Sequence, residues 1–176
     1  SVGFGRISKI AAFGGGASVM QVLKESGDFY TWGHNGTGQL GDGTTTSNGA
    51  PNELFTSEVL DLYSDGLDSH EYGYQAQAFI KKSDGELYGA GYNVHGQIGL
   101  GNVTANITEF TRVLLPFGAD IQEIGMDSAR QGGHMIYALT SNTKVYTWGY
   151  NVYYNITADG GRNVRYPLQI SLTEKN

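Results

Sequence analysis

The chain has 176 residues, 39% hydrophobic and 16% charged, with a net charge of −6, 27 glycines, 12 tyrosines, 3 prolines and no cysteine. That is enough apolar material for a real core, so disorder is excluded, and the lack of thiols excludes disulfides and thiolate metal sites. The basic residues are scattered, which removes a phosphate-backbone footprint and with it nucleic acid as an expected partner.

No apolar run approaches the roughly 18 residues a membrane helix needs, so membrane insertion is not expected. The first residues lack a charged-then-apolar signal segment, and a start at Ser1 points to processing, excision or a longer parent chain. Low charge with abundant Gly and Tyr favours an all-β class.

In chain order, the first strand candidate is 6–13 (RISKIAAF), followed by 18–24 (SVMQVLK). The turn SGD then leads into a second strand carrying Tyr30, which makes an antiparallel hairpin. Residues 59–63 (VLDLY), 76–82 (AQAFIKK), a strand carrying Tyr88, and 111–115 (TRVLL) continue the pattern. So do 121–126 (IQEIGM), 134–140 (HMIYALT), a strand carrying Tyr146, and 167–172 (PLQISL).

This order is periodic. DFYTWGHNGTGQLGDG (28–43) returns as ELYGAGYNVHGQIGLG (86–101) and as KVYTWGYNVYYNITAD (144–159), so Gly33, Gly91 and Gly149 stand 58 residues apart. The preceding strands align in the same register. Met20 and Val22, Ala78 and Ile80, and Ile136 and Ala138 mark the expected buried face. About four strands fall in each period, the content of a propeller blade.

After the second strand the chain must turn tightly while lying close to its neighbours. Gly33, Gly38, Gly41 and Gly43 allow positive φ or close approach, Asn35 is placed to bond nearby backbone, and Leu40 anchors the loop, as Ile98 and Ile156 do in the other copies. The motif set is Trp32, Gly33, Asn35, Gly38, Leu40 and Gly41; Gly91, Asn93, Gly96, Ile98 and Gly99; and Trp148, Gly149 and Asn151. Trp32 is expected to pack between adjacent sheets.

These Trp-Gly, Asn and Gly-Gln-Leu-Gly elements resemble the repeats of the regulator of chromosome condensation family over essentially the whole chain. The resemblance implies a β-propeller, in that family typically of seven blades. The first copy matches most closely. The second has Ala90 for the Trp, and the third has Tyr154, Asn155 and Thr157 where Gly, Gln and Gly are usual, which implies a rerouted loop.

The expected architecture is therefore all-β, with four-stranded antiparallel blades in a single three-repeat segment over 1–176, in units of about 1–58, 59–116 and 117–176. Three blades leave an incomplete ring, whose end faces expose apolar surface unless further chain or other subunits complete it. A larger assembly is favoured. Residues 167–172 are expected to begin a fourth unit that 6–13 continues.

Catalytic chemistry is thin. His34, His70, His95 and His134 lack metal-ligand spacing, so no metal is expected. Asp42, Asp84, Glu86, Asp127 and Asp159 form no acid–base pair, GDGTTTSNG is neither a phosphate nor a calcium loop, and no nucleophile has a base partner. The GRNVR stretch, with Arg162 and Arg165, reads as a solvated loop. No enzyme activity and no cofactor are expected. Asn35, Asn102, Asn106 and Asn155 head Asn-x-Thr triplets, read as chance matches unless the chain enters a secretory pathway.

Variable positions after each motif Gly make a candidate binding rim: His34, Tyr92 and Tyr150, then Thr37, His95 and Tyr153, with Tyr72 and Tyr74 added from the longer segment before the second copy. Tyr-rich loops on a rigid scaffold give large contact area at low entropy cost. Packing between blades competes with this reading for Tyr150 and Tyr153, and is the expected role of Tyr30, Tyr88 and Tyr146.

The composition suggests a non-enzymatic structural or adhesive module on a virion or extracellular surface, such as a phage tail fibre, binding a protein or glycan and assembling with other copies of itself. The alternatives are an intracellular, cytoplasmic regulatory propeller, as the resemblance implies for members that act on small GTPases, and an inhibitor of an extracellular enzyme.

Overall fold

A computed structural model of the chain describes residues 5–13, 18–64, 76–128, 134–151, 156–157 and 163–171. Twelve strands run through them: β1 Ile7–Phe13, β2 Val19–Lys24, β3 Phe29–Gly33, β4 Asn48–Phe55, β5 Val59–Tyr63, β6 Gln77–Lys82, β7 Leu87–Tyr92, β8 Asn106–Arg112, β9 Ile121–Ser128, β10 His134–Thr140, β11 Val145–Gly149 and β12 Val164–Ile170. They form three antiparallel four-stranded meanders, blade 1 from β1 to β4, blade 2 from β5 to β8 and blade 3 from β9 to β12. Among the described residues there is no helix.

The repeat reappears as register. Val19 faces Gly33, Gln77 faces Gly91 and Met135 faces Gly149 across the central hairpins. Each motif glycine also closes a bulge toward the fourth strand. Their φ values are +114°, +113° and +101°, and a Cβ on Gly33 or Gly91 would lie 2.2 Å from the carbonyl oxygen of Ser18 or Ala76. Only glycine accommodates that combination.

Burial follows each blade's neighbours. Blade 2 is flanked on both sides, so Gln77, Ala78, Phe79 and Ile80 in β6 are all buried. In β2 the buried residues are Val19, Gln21 and Leu23, while Met20 and Val22 are only half-buried. This corrects the expected inner face for blade 1: that face has no blade in front of it. Blade 3 mirrors it, with Ile136 and Ala138 buried and Tyr137 exposed. The arc is thus open at both ends.

The core lies between blades. Phe79, Leu87, Ile98 and Val113 of blade 2 pack against Ile136, Ala138, Tyr146 and Trp148 of blade 3. Blades 1 and 2 meet through Leu23, Phe29, Val59, Leu62 and Ile80, with Phe55 and Phe110 packed alongside. The Phe29 and Phe110 rings meet edge to face at 5.7 Å. At roughly 1.5–3 kcal/mol for each large apolar side chain buried, these junctions dominate stability.

Three further expectations are corrected. The fourth strand of blade 2 is 106–112, not 111–115; beyond it, Val113 and Leu115 point inward without continuing the strand. Residues 164–170 pair with β11 and 7–13 with β2, so neither belongs to a shared fourth unit: each completes a four-stranded sheet of its own. Strand β4 was not foreseen. It is an outer strand with Pro51 and no fully buried side chain, a setting in which neither alternation nor a missing N–H matters.

Candidate functional site

The rim of the arc is built by the loops joining the third and fourth strand of each blade. Each is held by one fully buried asparagine. The Asn35 Oδ1 accepts the Leu40 N–H at 2.9 Å, and its Nδ2 donates to Asp42 Oδ1 and the Thr44 carbonyl, both at 3.0 Å. Asn93 repeats this with the Ile98 N–H at 2.9 Å and Asn102 Oδ1 at 3.1 Å, and Asn151 with the Ile156 N–H and Thr157 Oγ1, both at 2.8 Å. Such satisfied buried amides act as internal staples. Asn35 is therefore closed to glycosylation.

The loop glycines serve contact with the next blade. A Cβ on Gly38 would sit 2.8 Å from Thr108 Cα, and one on Gly96 2.7 Å from Arg165 Cα. The Gly43 N–H donates to the Thr108 carbonyl and the Gly101 N–H to the Arg165 carbonyl, both at 2.8 Å. The first two motif loops are thus stitched to the outer strand of the following blade.

Above the junction of blades 2 and 3 stand three half-buried aromatic side chains. His95 lies edge-on to Tyr150 at 4.9 Å and to Tyr92 at 6.3 Å. The His95 Nδ1 lies 3.0 Å from Asn163 Nδ2, which fits a neutral ring accepting the amide N–H. Burial lowers the His95 pKa from 6.5 and raises that of the Tyr92 phenol from 10.0. The cluster can offer ring faces, phenol hydroxyls and the remaining imidazole nitrogen to a partner.

The other predicted rim residues are arranged differently. In the first loop Thr37 and His34 both engage Gln39: the Thr37 N–H and Oγ1 approach Gln39 Oε1 at 2.9 and 2.8 Å, and Gln39 Nε2 approaches His34 Nδ1 at 3.0 Å. In the second loop Tyr92 replaces that histidine, and the buried Gln97 Nε2 has no partner among the described residues. Tyr72, Tyr74 and Tyr153 lie outside the described residues. Asn163, which orients His95, was not anticipated, since no sequence signal links positions 68 residues apart.

The two motif tryptophans also differ. Trp148 is fully buried, stands edge-on to Phe79 at 6.4 Å and donates its Nε1–H to the Gln97 carbonyl at 2.7 Å. Trp32 does not pack between sheets as expected. It lies half-buried on the open face of blade 1, where no sheet precedes it. Of the second-strand tyrosines, Tyr146 is buried, whereas Tyr30 lies on that open face and accepts a bond from Lys24 Nζ at 2.9 Å. Among the described residues no group of three or more His, Asp or Glu side chains is placed to hold a metal ion.

Comparison with known proteins agrees with this geometry. Residues 26–60 match the family model for the regulator of chromosome condensation (RCC1) repeat. The chain is 32% identical over 127 residues to the human E3 ubiquitin-protein ligase HERC2, covering 70% of this chain and 2% of that protein. It is 32% identical over 124 residues to the Arabidopsis thaliana ultraviolet-B receptor UVR8, covering 70% of this chain and 26% of the receptor.

Human WBSCR16 superposes with a TM-score of 0.70 at 19% identity, over 99% of this chain and 41% of that one. Yeast RCC1 (Prp20), solved bound to Kap60, gives 0.70 at 20% identity, over 98% and 39%. The chain thus spans a minor part of each of these proteins.

Proposed function

We propose that this chain, which is built of repeats of the regulator of chromosome condensation type, is a non-enzymatic protein-interaction module that meets its partner through the Tyr92, His95 and Tyr150 cluster. The observation that carries this reading is the edge-on packing of the partly exposed Tyr92 and Tyr150 rings against His95 on a rim fixed by buried asparagines. A rigid amphipathic patch of that kind loses little entropy on binding. Structural neighbours lend support, since yeast Prp20p is described by its binding to Gsp1p and histones and was solved with Kap60.

An intracellular regulatory setting fits these relatives better than a virion surface. A ubiquitin ligase, a light receptor and Prp20 are among them, whereas the virion and host-surface reading rests on composition alone. Glycan binding draws nothing from the relatives and is set aside.

The test is a pull-down with a panel of purified small GTPases, nucleotide-free and nucleotide-loaded, using the chain and its Tyr92→Ala/Tyr150→Ala variant. Retention of a GTPase by the chain, reduced at least tenfold in the variant, is the expected result. Retention that survives the double substitution removes the rim as the binding surface, and no retention of any panel member removes the GTPase-directed form of the reading.

A further inference from the structure

The two junctions between blades repeat each other in backbone and differ in charge. The bonds from the Gly43 N–H to the Thr108 carbonyl and from the Gly101 N–H to the Arg165 carbonyl mark equivalent places. At the first junction Asp42 pairs through its backbone with the exposed Glu109, so two acidic residues adjoin. At the second, Leu100 and Tyr166 take their places, Arg165 stands for Thr108, and neither 87–108 nor β12 contains an Asp or Glu. Arg165 is exposed and makes no ion pair with a described residue. Its stem lies on the motif loop, since a Cβ on Gly96 would sit 3.1 Å from both its Cβ and its Cγ.

The hydrogen-bonding capacity left unused at this junction belongs to donors. His95 Nδ1 accepts from Asn163 Nδ2 at 3.0 Å, so the neutral ring carries its proton on Nε2. That N–H has no partner among the described residues. Gln97 spends its Oε1 on the His95 backbone N–H at 2.8 Å, while its buried Nε2 lacks an acceptor among the described residues. In the first loop the same amide reaches His34 Nδ1 at 3.0 Å. Tyr92 holds that histidine's place in the second loop and brings no ring nitrogen.

We propose that the rim above the junction of blades 2 and 3 recognises an acidic protein segment, taking its Asp or Glu carboxylates on Arg165 and the His95 Nε2–H. The proposal rests on the reading of the Tyr92, His95 and Tyr150 cluster as the partner-binding surface and names the chemistry of that partner. A carboxylate presents acceptors and no donor, the complement of a guanidinium and a neutral N–H. A basic segment would find no carboxylate on the second loop or β12, and an apolar one would cover these donors without pairing them, which is unfavourable. One cation beside a neutral imidazole suits a singly charged carboxylate better than a phosphate dianion. The first loop is the internal contrast, since it carries Asp42 and Glu109 and its histidine is already engaged by Gln39.

The test uses the whole chain and short peptides that alternate Ala with Glu, with Gln or with Lys. Each is titrated to about 2 mM, near the weak end of measurable affinity, while amide chemical shifts are followed by NMR. The Glu peptide is expected to shift the resonances of 92–97 and Arg165 and to bind at least tenfold more tightly than its Gln isostere, with no binding of the Lys peptide. Arg165→Gln, which removes the charge of an exposed side chain, and His95→Phe, which keeps a ring and loses the N–H, should each weaken the Glu peptide at least threefold.

Equal binding of the Glu and Gln peptides, preference for the Lys peptide, or no shift by any of the three overturns the proposal. So does Glu-peptide binding unchanged by Arg165→Gln in a variant that keeps the native spectrum. The failure of the underlying reading looks different. A Gln peptide bound as tightly as the Glu peptide, and lost in Tyr92→Ala/Tyr150→Ala, removes the acidic partner and keeps the aromatic rim. Binding of the Glu peptide indifferent to both Arg165→Gln and Tyr92→Ala/Tyr150→Ala lies elsewhere on the chain and counts against both.

Discussion

Gly85→Ala and Gly96→Ala separate the conformational cost of a left-handed glycine from the cost of contact between blades. The two positions have nearly the same backbone, with φ +83° and +80°. Around Gly85 an added Cβ meets nothing within 4 Å, so the substitution carries only the left-handed penalty of about 1–2 kcal/mol. At Gly96 the same methyl stands 2.7 Å from Arg165 Cα and 3.1 Å from its Cβ, and backbone cannot swing aside as a side-chain tip does. The loop must lift off β12, which adds about 1–3 kcal/mol of overpacking. The bond from the Gly101 N–H to the Arg165 carbonyl, 2.8 Å long, weakens with it, for about 1 kcal/mol more. The expected totals are about 1–2 kcal/mol for Gly85→Ala and about 3–6 kcal/mol for Gly96→Ala. Urea unfolding followed by tryptophan emission measures both, because Trp148 is buried beneath this loop and bonded to its Gln97 carbonyl. Equal destabilisation by the two substitutions, within about 0.5 kcal/mol and at unchanged m-value, would refute the claim that the glycines exist to bring a loop onto the next blade.

Thr143 occupies the turn position held by Gly27 and Gly85 and has φ +63° against their +87° and +83°. Thr143→Gly is expected to stabilise the chain by about 0.5–1 kcal/mol, the relieved strain being partly offset by unfolded-state entropy, and to raise the melting temperature by about 1–4 °C. A lower melting temperature would show that the 2.7 Å bond from Thr143 Oγ1 to the Asn142 carbonyl outweighs the strain. His95 predicts a pH effect. Burial holds its pKa below 6.5 in the folded state, so the unfolded chain binds the proton more readily and stability is lost as pH falls from about 6.5 toward the folded value. Melting curves of the chain and of His95→Asn should run parallel above pH 7 and converge or cross below 6, and parallel curves throughout would remove His95 as the source.

The repeat was readable because the contact that enforces it is steric. A loop laid against a neighbouring strand tolerates no Cβ at Gly38 or Gly96, so the same residue recurs at the same interval, and hairpin register follows from it. Where a position answers to one neighbour only, the signal fades. Strand β4 bonds to β3 alone and buries none of its side chains fully, so its sequence is free to be polar and to hold a proline. The position of Asn163 beside His95 depends on how blade 3 sits on blade 2, which no local pattern encodes.

Trp32 and Trp148 make the same point from the other side. Their local sequences, YTWG and YTWG, are identical and so are their hairpin registers, yet one is fully buried with its N–H bonded and the other lines an open groove. The difference lies wholly in whether a blade stands in front. A repeat therefore specifies what each face is made to receive, and the face of blade 1 has the residues for a junction that these three blades do not supply to it.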